Sequence, residues 1–236
     1  MLSFFFMGKN MKKIIKKIPV IGGIARCIYH AWNRPSGSFS GSEKYWADRY
    51  NSGGNSGDGS YGKLSEFKAE VINGFLTENN INTVIEYGCG DGNQLLLANY
   101  PKYLGFDVSS KALSMCEEKF STDTTKTFKL LENYTNDRAE LTLSLDVIYH
   151  LIEDSVFSDY MKRLFDSADR FVIVYASNRD ESDRDQAPHV KHRNFTKWVD
   201  EMRSDWGLIK HIPNKYTFNS NTGNGSFADF YIYKKL

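Results

Sequence analysis

The sequence predicts a doubly wound α/β domain, a mostly parallel seven-stranded sheet whose last two strands form an antiparallel C-terminal hairpin. Three observations carry this. From Glu43 onward, short runs rich in β-branched and aromatic residues alternate with stretches of helical spacing. The first run ends in a glycine cluster that opens the next helical stretch, as in open parallel sheets that bind ligands at strand ends. The last two runs are joined by a turn-rich segment rather than by a helix, so they are expected to return antiparallel.

The elements follow in order. "EKYWADRY" reads as a short aromatic helix, and the glycine-serine stretch "NSGGNSGDGSYGK" as a mobile lid. Leu64 to Asn79 places Phe67, Val71, Ile72 and Phe75 at helical spacing. "TVIEYG" is the first strand, followed by a helix over 93–98. "YLGFDVS" is the second strand, and Lys111 to Phe120 the next helix. "TFKLLE" and "LTLSLDVIY" give strands three and four. Asp154 to Ala168 is amphipathic, with Val156, Tyr160, Met161, Leu164 and Phe165 inward. "RFVIVYAS", almost continuously apolar, reads as a fifth strand buried on both faces. Thr196 caps a helix running to about Ser204, and "LIKHIPNKY" and "FADFYIYKK" are the closing strands.

Charge divides the 236 residues. The first 42 carry seven basic residues and no acid; with a net charge of +1 for the whole, the body from Glu43 is −6. An acidic body disfavours duplex nucleic acid as partner. The segment 1–42 is read as a separate unit, and the body as 43–236. Lysine pairs beside Ile14, Ile15, Ile18, Val20 and Ile21 suit peripheral contact with an anionic membrane surface through residues 9–32; a helix packed on the body or on a partner fits equally. No apolar run reaches the ~20 residues that span a bilayer. Three scattered cysteines fit neither a disulfide framework nor a zinc site, which points to a reducing, cytoplasmic setting.

The glycine cluster is E-x-G-x-G-x-G, Glu86 to Gly92, with Asn93 where a dinucleotide fingerprint needs its last glycine. Gly88, Gly90 and Gly92 let a ligand approach the backbone, and Asp107, at the end of the second strand, can accept ribose hydroxyls. "VIEYGCGDG", "YLGFDVS", "LSLDVIYHL" and "RFVIVYAS" together resemble the successive strand-end motifs of class I S-adenosylmethionine-dependent methyltransferases, over essentially the whole body. The resemblance implies S-adenosylmethionine as cofactor. Gly88, Cys89 and Gly90 would line its methionine part above Glu86. Asp107 would bind the ribose, Val108 would flank the adenine, and Leu145 and Asp146 would border the sulfonium. "GGNSGDGSYGKLSEFKAEVIN" and "APHVKHRNFTKWV" further resemble methyltransferases that accompany bacterial surface-polysaccharide assembly.

That resemblance implies a small or glycan-linked acceptor, methylated on oxygen; a nitrogen or RNA-end acceptor, or a non-catalytic cofactor-binding subunit, is the alternative. His150, just beyond the fourth strand, is the candidate general base, with Asp146 and Tyr149 orienting the acceptor. His189, His192 and Arg193 follow the fifth strand and suggest recognition of a phosphate or carboxylate, with Tyr61 closing from the lid. No metal is expected: Asp146 alone offers a carboxylate among Asp146, His150, His189 and His192. The stretch Gly57–Lys63 imitates a phosphate-binding loop but lacks the hydroxyl residue and the preceding strand, so no nucleotide-phosphate cradle is expected there.

Overall fold

The computed structural model describes residues 39, 41–180, 187–219 and 224–236. The basic amphipathic segment read from the sequence therefore lies outside the described residues. Seven strands run β1 (Thr83–Tyr87), β2 (Lys102–Asp107), β3 (Lys126–Leu130), β4 (Ala139–Leu145), β5 (Ala168–Ala176), β6 (Trp206–Ile212) and β7 (Asp229–Lys235). The helices are α1 (Ser42–Asn51), α2 (Gly62–Asn79), α3 (Ser110–Lys119), α4 (Asp154–Asp166) and α5 (Phe195–Met202).

The sheet order is β3-β2-β1-β4-β5-β7-β6, parallel except for β7, which slots antiparallel between β5 and β6. The chain leaves β1 toward β2 and β3, then crosses back to place β4 on the other side of β1. That reversal opens a crevice at the carboxyl ends of β1 and β4, where such sheets bind ligands. Alternation along the strands fills two cores. Val84, Leu141, Leu143, Phe171 and Ile173 meet Phe67, Ile72, Phe75 and Leu76 of α2. On the opposite face, Ile85, Tyr87, Val172 and Val174 meet Phe157, Met161, Leu164 and Phe165 of α4 and Phe195 and Val199 of α5.

Four expectations need correction. The helix over 93–98 is a single 3₁₀ turn, Gln94–Leu97, because the chain turns down at once toward β2. α4 ends at Asp166, and Ala168 already belongs to β5. Val156 is 42% exposed; its neighbour Phe157 takes the core position. The cap of α5 is Asn194, whose side chain accepts the Lys197 N–H, while the Thr196 hydroxyl donates to the Asn194 side-chain oxygen at 2.9 Å. Among the described residues no helix is long and apolar enough to cross a membrane.

Candidate active site

A cavity of about 610 Å³ opens at the crevice. Its floor is the turn after β1. Gly88 and Gly90 both have positive φ (81° and 59°), which other L-residues rarely adopt. Their lack of a side chain is also required by the chain itself. A Cβ on Gly88 would lie 2.6 Å from Val147 Cγ2, and one on Gly90 would lie 2.3 Å from Ser56 Oγ. Gly92 sits against Cys116 and Phe120, away from the cavity lining.

Three buried carboxylates organise this floor. Asp107 Oδ2 accepts the Gly90 N–H and Oδ1 the Ser109 N–H, both at 2.9 Å, tying the end of β2 to the glycine turn. Burial raises its carboxyl despite these bonds. Glu86 accepts the Tyr103 hydroxyl at 2.8 Å, and burial lifts its carboxyl to about 7 against that bond and the Lys68 charge. Asp91, not anticipated from the sequence, is the anchor of the glycine-serine segment. It accepts the Tyr61 hydroxyl (2.7 Å) and the Ser56 N–H (3.1 Å), while its own N–H donates to Ser56 Oγ. Burial would raise the Asp91 carboxyl, but bonds from Tyr61, Asn93 and Ser56 outweigh it and hold the group below its usual range. Tyr61 is thus a latch on Asp91 rather than a free acceptor-binding group, and burial with that carboxylate lifts its phenol to about 12. A hydrogen bond with the Cys116 thiol, reinforced by burial, drives the Cys89 thiol well upward, which leaves it a packing residue of the cavity wall. Val108, Leu145 and the rings of Trp46 and Tyr50 complete this part of the lining.

The other end of the cavity is built around Asp146. Its φ of 61° takes it out of the extended region and ends β4 at Leu145, four residues earlier than the "LTLSLDVIY" strand read from the sequence. Asp146 Oδ2 accepts Lys68 Nζ at 2.7 Å and Oδ1 accepts the Tyr149 hydroxyl at 2.7 Å. Lys68, also missed from sequence because it reads as one more helix lysine, is 1% exposed and lies 5.3 Å from the centre of the Tyr175 ring. His150 Nδ1 faces the His189 carbonyl at 2.9 Å and so must carry the proton, leaving Nε2 as a lone-pair acceptor. Burial pushes this imidazole down to about 4.

The basic residues after β5 separate. The His189 ring stacks between Tyr45 (4.4 Å) and His150 (5.4 Å), and burial with the nearby Arg49 charge lowers it to about 4. His192 is buried, 2.7 Å from Ser177 Oγ. Arg193 departs from the expected anion receptor. It donates to the carbonyls of Leu151 (2.6 Å) and Ile152 (2.8 Å) and to Asp154, and lies 4.5 Å from the Phe157 ring centre. Its donors are committed to joining two segments of its own chain. Lys63 likewise lies over the Tyr216 ring, 5.9 Å from its centre, and α2 begins at Gly62, so the stretch that imitates a phosphate loop is a helix entry.

Comparison with solved structures identifies the architecture. The N-methyltransferase NodS from Bradyrhizobium japonicum WM9, in complex with S-adenosyl-L-homocysteine, matches with a TM-score of 0.63 at 12% identity, over 83% of this chain and 99% of that one. Magnesium protoporphyrin IX methyltransferase from Synechocystis PCC 6803, with bound S-adenosylmethionine, gives 0.58 at 16% identity over 85% and 100%. The methyltransferase domain of a bacterial Hen1 gives 0.57 at 17% identity over 73% and 99%. The chain has the Rossmann-like methyltransferase fold. No protein-family model and no curated protein matches its sequence.

Proposed function

We propose that this protein is an S-adenosylmethionine-dependent methyltransferase acting on a small or glycan-linked acceptor. The observation that carries the reading is the cavity at the β1/β4 reversal, with the glycine turn and the Glu86 and Asp107 carboxylates at one end and Asp146 at the other. Its volume suits a nucleoside-sized ligand with room for a small group beside it. The residues present fit the cofactor. Glu86 would take the ammonium, the 88–90 backbone the methionine chain, Asp107 the ribose hydroxyls through lone pairs not used by Gly90 and Ser109, and Val108 the adenine. Trp46 and Tyr50 offer ring faces to a cation.

The bound cofactor supplies a methyl group already activated on a sulfonium. What remains for the chain is alignment and the exclusion of water, effects worth about 7–11 kcal/mol in the best intramolecular models. Both are provided by closure. α1 is pinned by Ser42, whose hydroxyl donates to Glu153 at 2.6 Å and accepts the Ile152 N–H. The 52–61 strap is pinned by Asp91. Beside the cavity Tyr45, Trp46, His150 and His189 form an aromatic cluster whose imidazoles are neutral near neutral pH, with the Arg49 guanidinium 5.4 Å from the Trp46 ring centre.

Titration calorimetry of the full chain with S-adenosylmethionine and S-adenosylhomocysteine tests the cofactor assignment; no heat from either, with a folded protein, ends it. Release of S-adenosylhomocysteine on adding acceptor separates an enzyme from a binding subunit. A 14 Da difference in surface glycans with and without the protein would support the glycan-linked acceptor.

A further inference from the structure

The cavity end at Asp146 is specific enough to name the acceptor's chemistry, given the methyl-transfer reading above. We infer that Asp146, clamped by Lys68 and Tyr149, docks an acceptor amine, so that the protein methylates nitrogen.

The first ground is the shape of the clamp. Asp146 and Lys68 both line the cavity, but the Asp146 side chain is 15% exposed against 1% for Lys68. The carboxylate is therefore the more accessible partner of the pair to an incoming group. Each of its oxygens already takes one donor, from Lys68 or from Tyr149, and each retains a lone pair. Such a group recognises a hydrogen-bond donor and repels an anion. The strap tightens the fit: a Cβ on Gly59 would lie 2.8 Å from Asp146 Oδ2.

The second ground is the absence, among the described residues lining this end, of a strong proton acceptor. His150 is held near 4 and is tied through Nδ1 to His189. Asp146 is engaged in an ion pair. A hydroxyl has to lose its proton as it attacks, which calls for a base tuned near the working pH. A neutral amine does not. Its lone pair forms the N–C bond while the C–S bond of the methyl donor breaks and leaves its electron pair on sulfur. The nitrogen takes up the positive charge and afterwards releases one N–H proton to water.

The clamp also suits the amine's protonation state. A lone carboxylate would stabilise the ammonium form, which has no lone pair to attack with. Lys68 balances that charge, so Asp146 can orient an N–H without holding the amine protonated. The other groups facing Asp146 are Tyr149 and His150 from the same turn and Tyr175 from β5, while the nearby Glu86 of β1 feels the Lys68 charge and is bonded to Tyr103. Lys68 is a positioning residue in this scheme, reached from α2 because Phe67 and Ile72 bury that helix face.

The test uses the full chain, cofactor labelled with ¹³C in its methyl group, and the dialysable metabolites of the source organism, with the product methyl read by carbon NMR. An N-methyl resonance is expected; an O- or C-methyl resonance overturns the inference. Absence of any labelled product, although S-adenosylhomocysteine binds, overturns it together with the transfer reaction, whereas failure of S-adenosylhomocysteine to bind removes the cofactor reading beneath both. With product in hand, Lys68→Met should shift the acid limb of kcat, which reports the bound amine, to higher pH by about 1–3 units, the effect of one neighbouring charge. Lys68→Arg should restore the wild-type limb, and thermal melts confirm that both variants fold. An unmoved limb in a folded Lys68→Met variant also overturns the inference.

Discussion

The two ends of the cavity are built on different principles. The floor near β1 and β2 is made from backbone and carboxylates lying within about twenty residues of one another: Glu86, the 88–92 turn and Asp107. The rim and the Asp146 end are made from side chains brought together over long sequence separations: Lys68 with Asp146, Ser42 with Glu153, Tyr45 with His189. One end is local and rigid. The other exists only once α1, the strap and the 187–193 loop have docked. A mutation at the first should therefore damage cofactor binding, and one at the second should damage turnover while leaving cofactor affinity intact.

The most disruptive change should be Gly90→Ala. It combines the cost of a left-handed conformation, about 1–2 kcal/mol, with a methyl driven into Ser56. Calorimetry should show cofactor affinity weakened on the order of 100-fold, which corresponds to ~2.7 kcal/mol. Affinity within twofold of wild type would mean that the strap does not sit on the cofactor floor.

Gly59→Ala tests the opposite end. Its added Cβ meets a carboxylate that Lys68 and Tyr149 prevent from retreating. We expect kcat to fall roughly tenfold, short of the ~10²-fold that a full 1 Å misplacement can cost, with cofactor affinity unchanged. A matching loss of cofactor affinity would erase the distinction between the two ends.

The floor should also be the pH-sensitive part. Glu86 must be ionised to hold an ammonium, and its carboxyl stands at about 7 rather than 4.5. As pH falls below about 7 the group protonates and cofactor affinity should drop, approaching ~tenfold per unit. The same shift means that the ligand-free fold binds more protons than the unfolded chain between 4.5 and about 7, so its stability declines as pH rises through that window. Glu86→Gln should bind weakly but with a flat pH profile; an unchanged slope in that variant would place the titration elsewhere.

Smaller effects are expected at the rim. His150→Phe should lower turnover less than tenfold, well below the ~10²–10⁴-fold of a general base; a larger loss would restore His150 to the proton-transfer role. Arg193→Ala should act on stability alone. It removes charge-assisted bonds to Leu151, Ile152 and Asp154 worth roughly 1–3 kcal/mol each in comparable settings. A lower Tm with an unchanged acceptor KM is the expected pair of results.

What the sequence by itself determined is whatever depends on near neighbours. Hydrophobic alternation and helical spacing marked all seven strands and the five helices, and the E-x-G-x-G-x-G spacing with Asp107 marked the cavity floor, because strand, turn and helix entry are consecutive there. Sequence also set Asp146, Tyr149 and His150 close together near the carboxyl end of β4, although it ran the strand on to Tyr149, and it could not say which of them had a partner. Only the tertiary structure showed Lys68 as a buried counter-ion, Arg193 as a strut, Asp91 as the strap's anchor and His150 as a weakened base. The physical reason is that a charged side chain's role is fixed by its burial and by the group it faces. Those are properties of contacts between residues 78, 30 or 39 positions apart, and local pattern carries no record of them.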